Sequence, residues 1–548
     1  MSGNSNSRNL VILILLCYVF FMLGNGIISL SIPDEVFYAQ TAREMAQRNS
    51  WMTPYMFAQP QFEKPVFIYW LLRIAFLIFG VTSFSARFFP ALFGAIGVIA
   101  VYLLGLFGLR DQKKAFLAAL LLLSCGLYVG LARTVFTDMV FAVFIQLSLT
   151  AFWWGYAFRD KKTPALLLFY GFSALAVLTK GPLGFLIPAA AVLFLLIRKE
   201  LKFLFCPAGL WGLVIFALLA FPWYILMIAK YGREFTREFF YNDHFRRLLE
   251  AEHPANDTWY FYPASIAACI FPWSLFVIAS LIRLARKLSC RKDPFYLFLA
   301  CWIGVTLLIF QPAHSKLISY IFPMFAALAL LSGDYIEDEL RAARTGRLFF
   351  SLCLATAMIF LFLAAASIAG SFYFSEYMPS SAPLYPVIAA LVLLSLGLLV
   401  LLRRGRLRGC ILAFSPLVLI FLSSVPVVSR HIEPYLSSRP ACEYLLKNFQ
   451  VDNTILSSKF FVRGVKYYTG YDVAVIDIPG TPFFSPHPIP FLNTHEKVRE
   501  LFRRQAITYC FLKRNALIDI KRIAGKEFKY AILNQVGSQY IVRVQRAE

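Results

Sequence analysis

Runs of apolar residues alternate along most of the chain with short basic clusters, and the runs are long. Candidates for membrane-spanning helices lie near residues 10–30, 85–108, 115–131, 137–158, 163–179, 183–197, 204–229, 260–282, 294–311, 317–332, 348–372, 385–402 and 409–428, thirteen in all, judged against the ~20 apolar residues that a span requires. A further run, Val66 to Gly80, is short. If it does not span, the clusters RDQKK at Arg110, RDKK at Arg159, RKELK at Arg198, RLARKLSCRK at Arg283 and RRGRLR at Arg403 all face the cytoplasm, as basic loops prefer. If it spans, they are inverted. The first arrangement is therefore expected, with Val66 to Gly80 at the membrane surface or dipping into it. The first run, Leu10 to Leu30, exceeds a signal-peptide core and lacks a small-residue cleavage site, so it reads as an uncleaved anchor.

With the N-terminus inside, thirteen spans put everything after about Ser429 on the outer face, the periplasm of a bacterial inner membrane. The period changes there. PACEYLLKNF predicts a helix, VAVIDI and ITYCFL predict strands, and YAILNQVGSQYIVRVQ predicts a hairpin turning at Gly537-Ser538. PGTPFFSPHPIPF is a Pro-rich loop. The expected organisation is a polytopic α-helical membrane unit over 1–428, with a first large outer loop at 31–84, and a soluble α/β periplasmic domain over 429–548.

Composition agrees: 59% of the 548 residues are hydrophobic and 15% charged, far too apolar for a soluble protein of this length. The net charge of +23 lies in clusters between spans, where it sets topology, so nucleic acid is not an expected partner. The ten cysteines form no CxxC pair, and Cys17, Cys125, Cys269 and Cys353 lie in apolar runs. Only Cys442 and Cys510, both in the polar C-terminal part, could pair in an oxidising compartment. No glycine-rich nucleotide loop and no internal repeat is evident.

That topology, drawn from Lys and Arg alone, gathers the other polar groups on the outer face. Asp34 and Glu35 follow the first span; Glu63 and Lys64 share its loop. Asp138 opens the fourth span and Lys180 stands at the next outer turn. YNDHFRR, with His244, Arg246 and Arg247, and HSKLISYIFP, with His314, Lys316 and Tyr320, follow in later outer loops. Singly, each has an ordinary explanation: an acidic first helical turn after Pro33, a snorkelling lysine, an exposed Glu63–Lys64 pair. Together they mark a site, because ionisable groups at membrane depth are expensive. Lys64, Lys180, Arg246 and Lys316 could hold a phosphate whose charge grows as a group departs. Asp34 could accept a proton or steer an ionised acceptor. Glu63 and His244, with Glu35 or Asp138, could supply metal ligands, although no local spacing demands a metal.

At these residues the chain resembles the polytopic GT-C glycosyltransferases, most closely the aminoarabinose (lipid A) transferases and protein O-mannosyltransferases. PDEVFYAQTAREM, FEKPVFIYW, ARFFPAL, RTVFTDM, LTKGPLG, NDHFRR and KLISYIFP occur in order, ahead of the soluble outer domain. The resemblance implies an inverting transfer of an aminoarabinose-like sugar from a polyprenyl phosphate to lipid A, or to a protein hydroxyl, on the periplasmic face. It implies an essential Asp34, a second acidic residue at Asp138 and donor-phosphate contact by Lys64; Glu35 is expected beside them as a further catalytic acid, and Tyr38, Lys180, Arg246, Lys316 and Tyr320 as further groups on the donor phosphate. It also implies a zinc ion on Glu63 and His244. One position departs: those transferases carry an Arg before the Tyr of the first loop, where Phe37 stands before Tyr38. A transporter or flippase would instead carry midplane charges and often repeats.

Overall fold

The computed structural model describes residues 3–290, 293–343, 346–373, 384–478, 480, 489–525 and 527–547. It is a multi-pass helical membrane protein capped by one mixed sheet. Among the described residues, eight helices are long and apolar enough to cross a membrane, and the bent pair Gln112–Leu123 and Gly126–Ala132, at 65°, is a broken span or a re-entrant loop that brings the count to nine at most. The helix Phe67–Phe79 has 13 residues, about 20 Å of rise against a ~30 Å hydrocarbon core.

Several expected spans are broken, for reasons that hydropathy does not register. The 183–197 run is cut into Leu183–Leu186 and Ala189–Arg198 by Pro188. The 260–282 run is cut into Phe261–Cys269 and Ser274–Cys290 around Pro272. Backbone groups freed at such breaks need partners inside a membrane, and two of the breaks serve each other. Gly126 N–H donates to the Phe271 carbonyl at 3.0 Å, Cys125 Sγ to the Cys269 carbonyl at 3.2 Å, and Trp273 Nε1 to Ser124 Oγ at 3.0 Å.

The first outer loop forms the helix Asp34–Gln47 and a small hairpin of β1 (Tyr55–Met56) and β2 (Gln59–Pro60). The C-terminal part builds a six-stranded sheet from β3 (Ile455–Ser458), β4 (Val473–Ile476), β5 (Phe491–Leu492), β6 (Ile507–Leu512), β7 (Phe528–Val536) and β8 (Gln539–Arg546), in the order β5-β4-β3-β6-β8-β7. β3 runs parallel to β4 and β6; β8 is antiparallel to β6 and β7. The predicted helix is Arg439–Asn448 and the predicted hairpin turns at Gly537-Ser538 between β7 and β8. Most of the Pro-rich loop lies outside the described residues. Strand alternation separates two cores: Tyr509 and Phe511 join the main core, while Cys510 and Leu512 join a second one with Val498, Phe502 and Ile520. Cys442 belongs to the main core. The sheet thus stands between Cys442 and Cys510, and both are free thiols; the expected option of a disulfide is not taken.

Helices of the C-terminal part, Pro416–Leu436 and Val462–Thr469, dock on the first outer loop. Ile32 N–H donates to the Leu436 carbonyl at 2.9 Å, Arg43 Nη1 to the Tyr467 carbonyl at 2.9 Å, and Tyr468 OH to the Leu30 carbonyl at 3.2 Å.

Candidate functional site

The adjacent carboxylates Asp34 and Glu35 open one helix, where acidic side chains suit the exposed N–H groups, but neighbours on a helix point about 100° apart. Glu35 points inward. Arg87 grips it bidentately, Nε to Oε1 at 2.7 Å and Nη2 to Oε2 at 2.6 Å, and the Ser31 and Val135 N–H groups donate to the remaining positions at 2.9 and 3.0 Å. Burial opposes ionisation, yet these donors hold the Glu35 carboxyl below its ordinary range. Glu35 is therefore an anchor of the first loop and does not line the cavity; its expected site role is corrected by the demands of Arg87.

Asp34 faces a cavity of about 1210 Å³. Its side chain is reachable by solvent through the cavity while protein surrounds it. Burial raises its pKa, Arg463 opposes the rise, and Glu63, Glu252 and Glu35 add to it. Tyr38 lines the same wall, and burial pushes its phenol well above the ordinary value, so it can donate a hydrogen bond but is no base.

Opposite charges hold the cations of the cavity in place. Lys64 Nζ meets Asp243 Oδ2 at 2.8 Å, and Asp243 Oδ1 meets Arg247 Nη2 at 3.2 Å. Arg247 also donates to Tyr320 OH at 3.1 Å. Lys180 Nζ meets Asp138 Oδ1 at 2.6 Å and lies 5.2 Å above the Tyr320 ring. Arg246 lines the wall, paired with Glu250 at 2.7 Å. From the C-terminal unit come Lys459 and Arg463; the Arg463 guanidinium lies 4.7 Å over the Phe37 ring. Six basic residues and five acidic ones, Asp34, Glu63, Asp138, Asp243 and Glu252, thus line the cavity. An entering phosphate would find cations already oriented, with carboxylates as the partners to be displaced.

All the outer segments expected to converge contribute to the lining, but one residue expected to bind phosphate does not. Lys316 lies outside the lining, bound through Nζ to Asp257 Oδ1 at 2.5 Å, where His314 is a second partner of the same carboxylate at 2.7 Å. Asp243, Glu252, Lys459 and Arg463 were not anticipated. Asp243 was legible as the acidic member of YNDHFRR; Lys459 and Arg463 carry no local signal.

Glu63 and His244 share the cavity, but the arrangement does not suit a zinc ion. His244 Nδ1 lies 2.7 Å from the Phe239 carbonyl, so one ring nitrogen is already engaged by the backbone. A Cβ at Gly181, whose φ is +75°, would stand 2.6 Å from His244 Nε2, so the TKG turn is shaped to pack this ring. Among the described residues no three His, Cys, Asp or Glu side chains gather as a metal site.

Residues 9–232 match the dolichyl-phosphate-mannose-protein mannosyltransferase family. An undecaprenyl phosphate-alpha-4-amino-4-deoxy-L-arabinose arabinosyl transferase of Yersinia enterocolitica is 33% identical over 56% of the chain and 55% of the relative, and an uncharacterized protein of Aquifex aeolicus is 30% identical over 70% and 72%. The crystal structure of ArnT from Cupriavidus metallidurans bound to undecaprenyl phosphate superposes with a TM-score of 0.78 at 18% identity, covering 97% of each chain. The chain resembles these transferases over part of its sequence: the family match, residues 9–232, covers less than half of it. Its fold is the GT-C fold of that crystal structure from end to end. In sequence, the match spans about half the length (55%) of the Yersinia transferase.

Proposed function

We propose that this GT-C protein transfers an aminoarabinose-like sugar from undecaprenyl phosphate to lipid A, with inversion, on the periplasmic face of the inner membrane. The observation that carries the reading is the cavity in which Lys64, Lys180, Arg246 and Arg247 stand around Asp34. A second feature supports a lipid donor: an apolar groove of about 880 Å³, lined by residues such as Phe169, Phe185, Phe221 and Ile225, shares Pro182 and Phe240 with the cavity. A polyprenyl tail in that groove would put its phosphate at the cations and its sugar beside Asp34.

In the reaction, an oxygen of the acceptor phosphate attacks the anomeric carbon from the face opposite the leaving group. The bond from that carbon to the undecaprenyl phosphate oxygen breaks, and its electron pair stays on the phosphate. Lys64, Lys180 and Arg247 hold that growing charge, a stabilisation made mainly in the transition state. A proton remaining on the acceptor phosphate passes to an Asp34 carboxylate oxygen. Asp34 otherwise steers the anion. Tyr38 and Tyr320 orient the phosphate by donated hydrogen bonds, and Asp138 and Asp243 keep Lys180 and Lys64 aimed at it. No step passes through a metal. A Ser or Thr acceptor would instead require Asp34 as full base.

The test is mass spectrometry of lipid A, with membrane glycoproteins in parallel, from cells expressing the wild type, Asp34→Ala or Lys64→Ala at equal levels. A sugar-sized increment on lipid A that both variants lose is expected. Unchanged lipid A with an increment lost from peptides would overturn the acceptor, and no dependent increment anywhere would overturn the transfer.

A further inference from the structure

Beside the main cavity lies a second one, of about 490 Å³, within the ordinary range of ligand pockets. It opens at the carboxyl ends of the parallel strands: Ser458 ends β3, Asp477 and Ile478 follow β4, and Lys513 follows β6; all four line it. The chain leaves β3 toward β4 and β5 on one side, and returns to β6 on the other. Open parallel sheets bind ligands at such a switch point, outside the carboxyl ends of their strands. The same cavity takes in Pro33, the residue before Asp34, and it shares Lys459 and Arg463 with the main cavity. It shares no lining residue with the apolar groove assigned to the donor tail.

Its chemistry is mixed in a telling way. Lys459, Arg463 and Lys513 supply cations; Asp477, Asp519, Asn515 and Ser458 supply groups that bond hydroxyls. Lys513 is well placed to meet a ligand, because its N–H donates to Ser458 Oγ at 2.9 Å and its ammonium rests 4.1 Å over the Phe460 ring. A pocket for a bare phosphate would not need two carboxylates. A pocket for a neutral sugar would not need three cations.

We propose that this crevice binds the phosphorylated saccharide headgroup of the acceptor, with a phosphate on Lys513 and Lys459, hydroxyls on Asp477, Asp519 and Asn515, and the reacting end carried past Arg463 to Asp34. The assignment rests on the anionic-lipid acceptor proposed above and adds where that acceptor is held. Lys513 is its cleanest reporter, since it lines this crevice and not the main cavity.

The experiment uses the full chain in detergent micelles and a water-soluble probe, the deacylated glucosamine disaccharide bisphosphate, with binding followed by calorimetry and transfer assayed in the same preparations. Lys513→Gln is expected to weaken probe binding about tenfold, the effect of one charge-assisted hydrogen bond, and to raise the KM for acceptor alike while leaving the KM for donor unchanged; Lys513→Arg is expected to restore both. Removing the probe's phosphates should weaken wild-type binding, with little further effect in Lys513→Gln. A wild type that does not bind the probe, or binding indifferent to Lys513→Gln, would overturn the site. Normal, Lys513-dependent binding with no sugar transfer to lipid A would support the site and count against the proposed reaction.

Discussion

Lys180 meets Asp138 at 2.6 Å, and Lys114 meets Asp334 at the same distance, yet the two pairs sit in unlike surroundings. Around Asp334 the network closes on itself: Lys287 Nζ approaches at 2.7 Å and Tyr296 OH donates at 2.9 Å. Lys114 also reaches Asp338 at 2.5 Å, Arg283 pairs with Asp338, and Arg341 with Asp111. These groups tie the Gln112–Leu123, Ser274–Cys290 and Phe325–Arg341 helices together and line neither cavity. The Lys180–Asp138 pair and the Lys64–Asp243 pair instead border open space. Identical ion pairs therefore serve as a fastening where nothing can enter, and as a loaded receptor where a ligand can. The difference lies in the room beside them, not in their chemistry.

Substitutions can break that contrast from either side. Asp34→Asn is expected to lower transfer by about two to three orders of magnitude, the range for a positioned acid or base, with an unchanged melting temperature; equal loss of melting temperature and activity would make Asp34 a fastening too. Asp334→Ala is expected to act the other way, destabilising by about 1–3 kcal/mol because the half-buried Lys114 and Lys287 lose their shared partner, with Lys114 keeping only Asp338. Activity per folded molecule should persist, and thermal denaturation beside a per-molecule assay reads both.

Lys64→Ala is expected to reduce kcat by about 10²-fold or less, as the loss of one preorganised phosphate donor, and single-turnover kinetics would show it in the chemical step. The pH profile is subtler. Burial raises the Asp34 pKa, so its carboxylate is lost on acidification at a higher pH than an ordinary Asp, and the acid limb of kcat/KM should fall above pH 3.8 and vanish in Asp34→Asn. Glu35 runs opposite in sign: its lowered pKa gives stability that is present above its ordinary pKa of 4.5 and lost as pH falls through the folded value. Smallest of all, Arg503→Ala should leave the melting temperature unmoved, because its pairs with Glu496 and Glu527 are fully solvated.

Much of this was readable in the chain because Lys and Arg placement reports topology, and topology alone put Asp34, Lys64, Asp138, Lys180 and His244 on one side. It could not separate Asp34 from Glu35: the two differ by about 100° of rotation about the helix axis and by Arg87, 52 residues away. Nor could hydropathy see that Pro188 and Pro272 cut their runs, since proline changes hydrogen bonding more than polarity. β3 escaped because four residues give too little period, although it is a central strand. Phe37, where the resembling transferases carry an Arg, is covered by Arg463 from the C-terminal part of the chain, and no local pattern announces a contact of that span.

The docking of the first outer loop on the helices Pro416–Leu436 and Val462–Thr469 has a consequence for biogenesis. Ser29 N–H finds Glu433 Oε1 at 3.1 Å, 404 residues downstream, and a Cβ on Gly464 would sit 2.5 Å from Ile32 Cγ2, so the loop is seated only when the last quarter of the polypeptide has emerged and folded. Synthesis proceeds from the N-terminus at about 5–20 residues per second, so while the residues after Leu436 are made, roughly 6–22 s at that rate, the nascent protein has its membrane helices but an unfinished pocket. The wall of the cavity that carries Lys459 and Arg463 is thus added only after the last membrane helix, Pro416–Leu436, has been made.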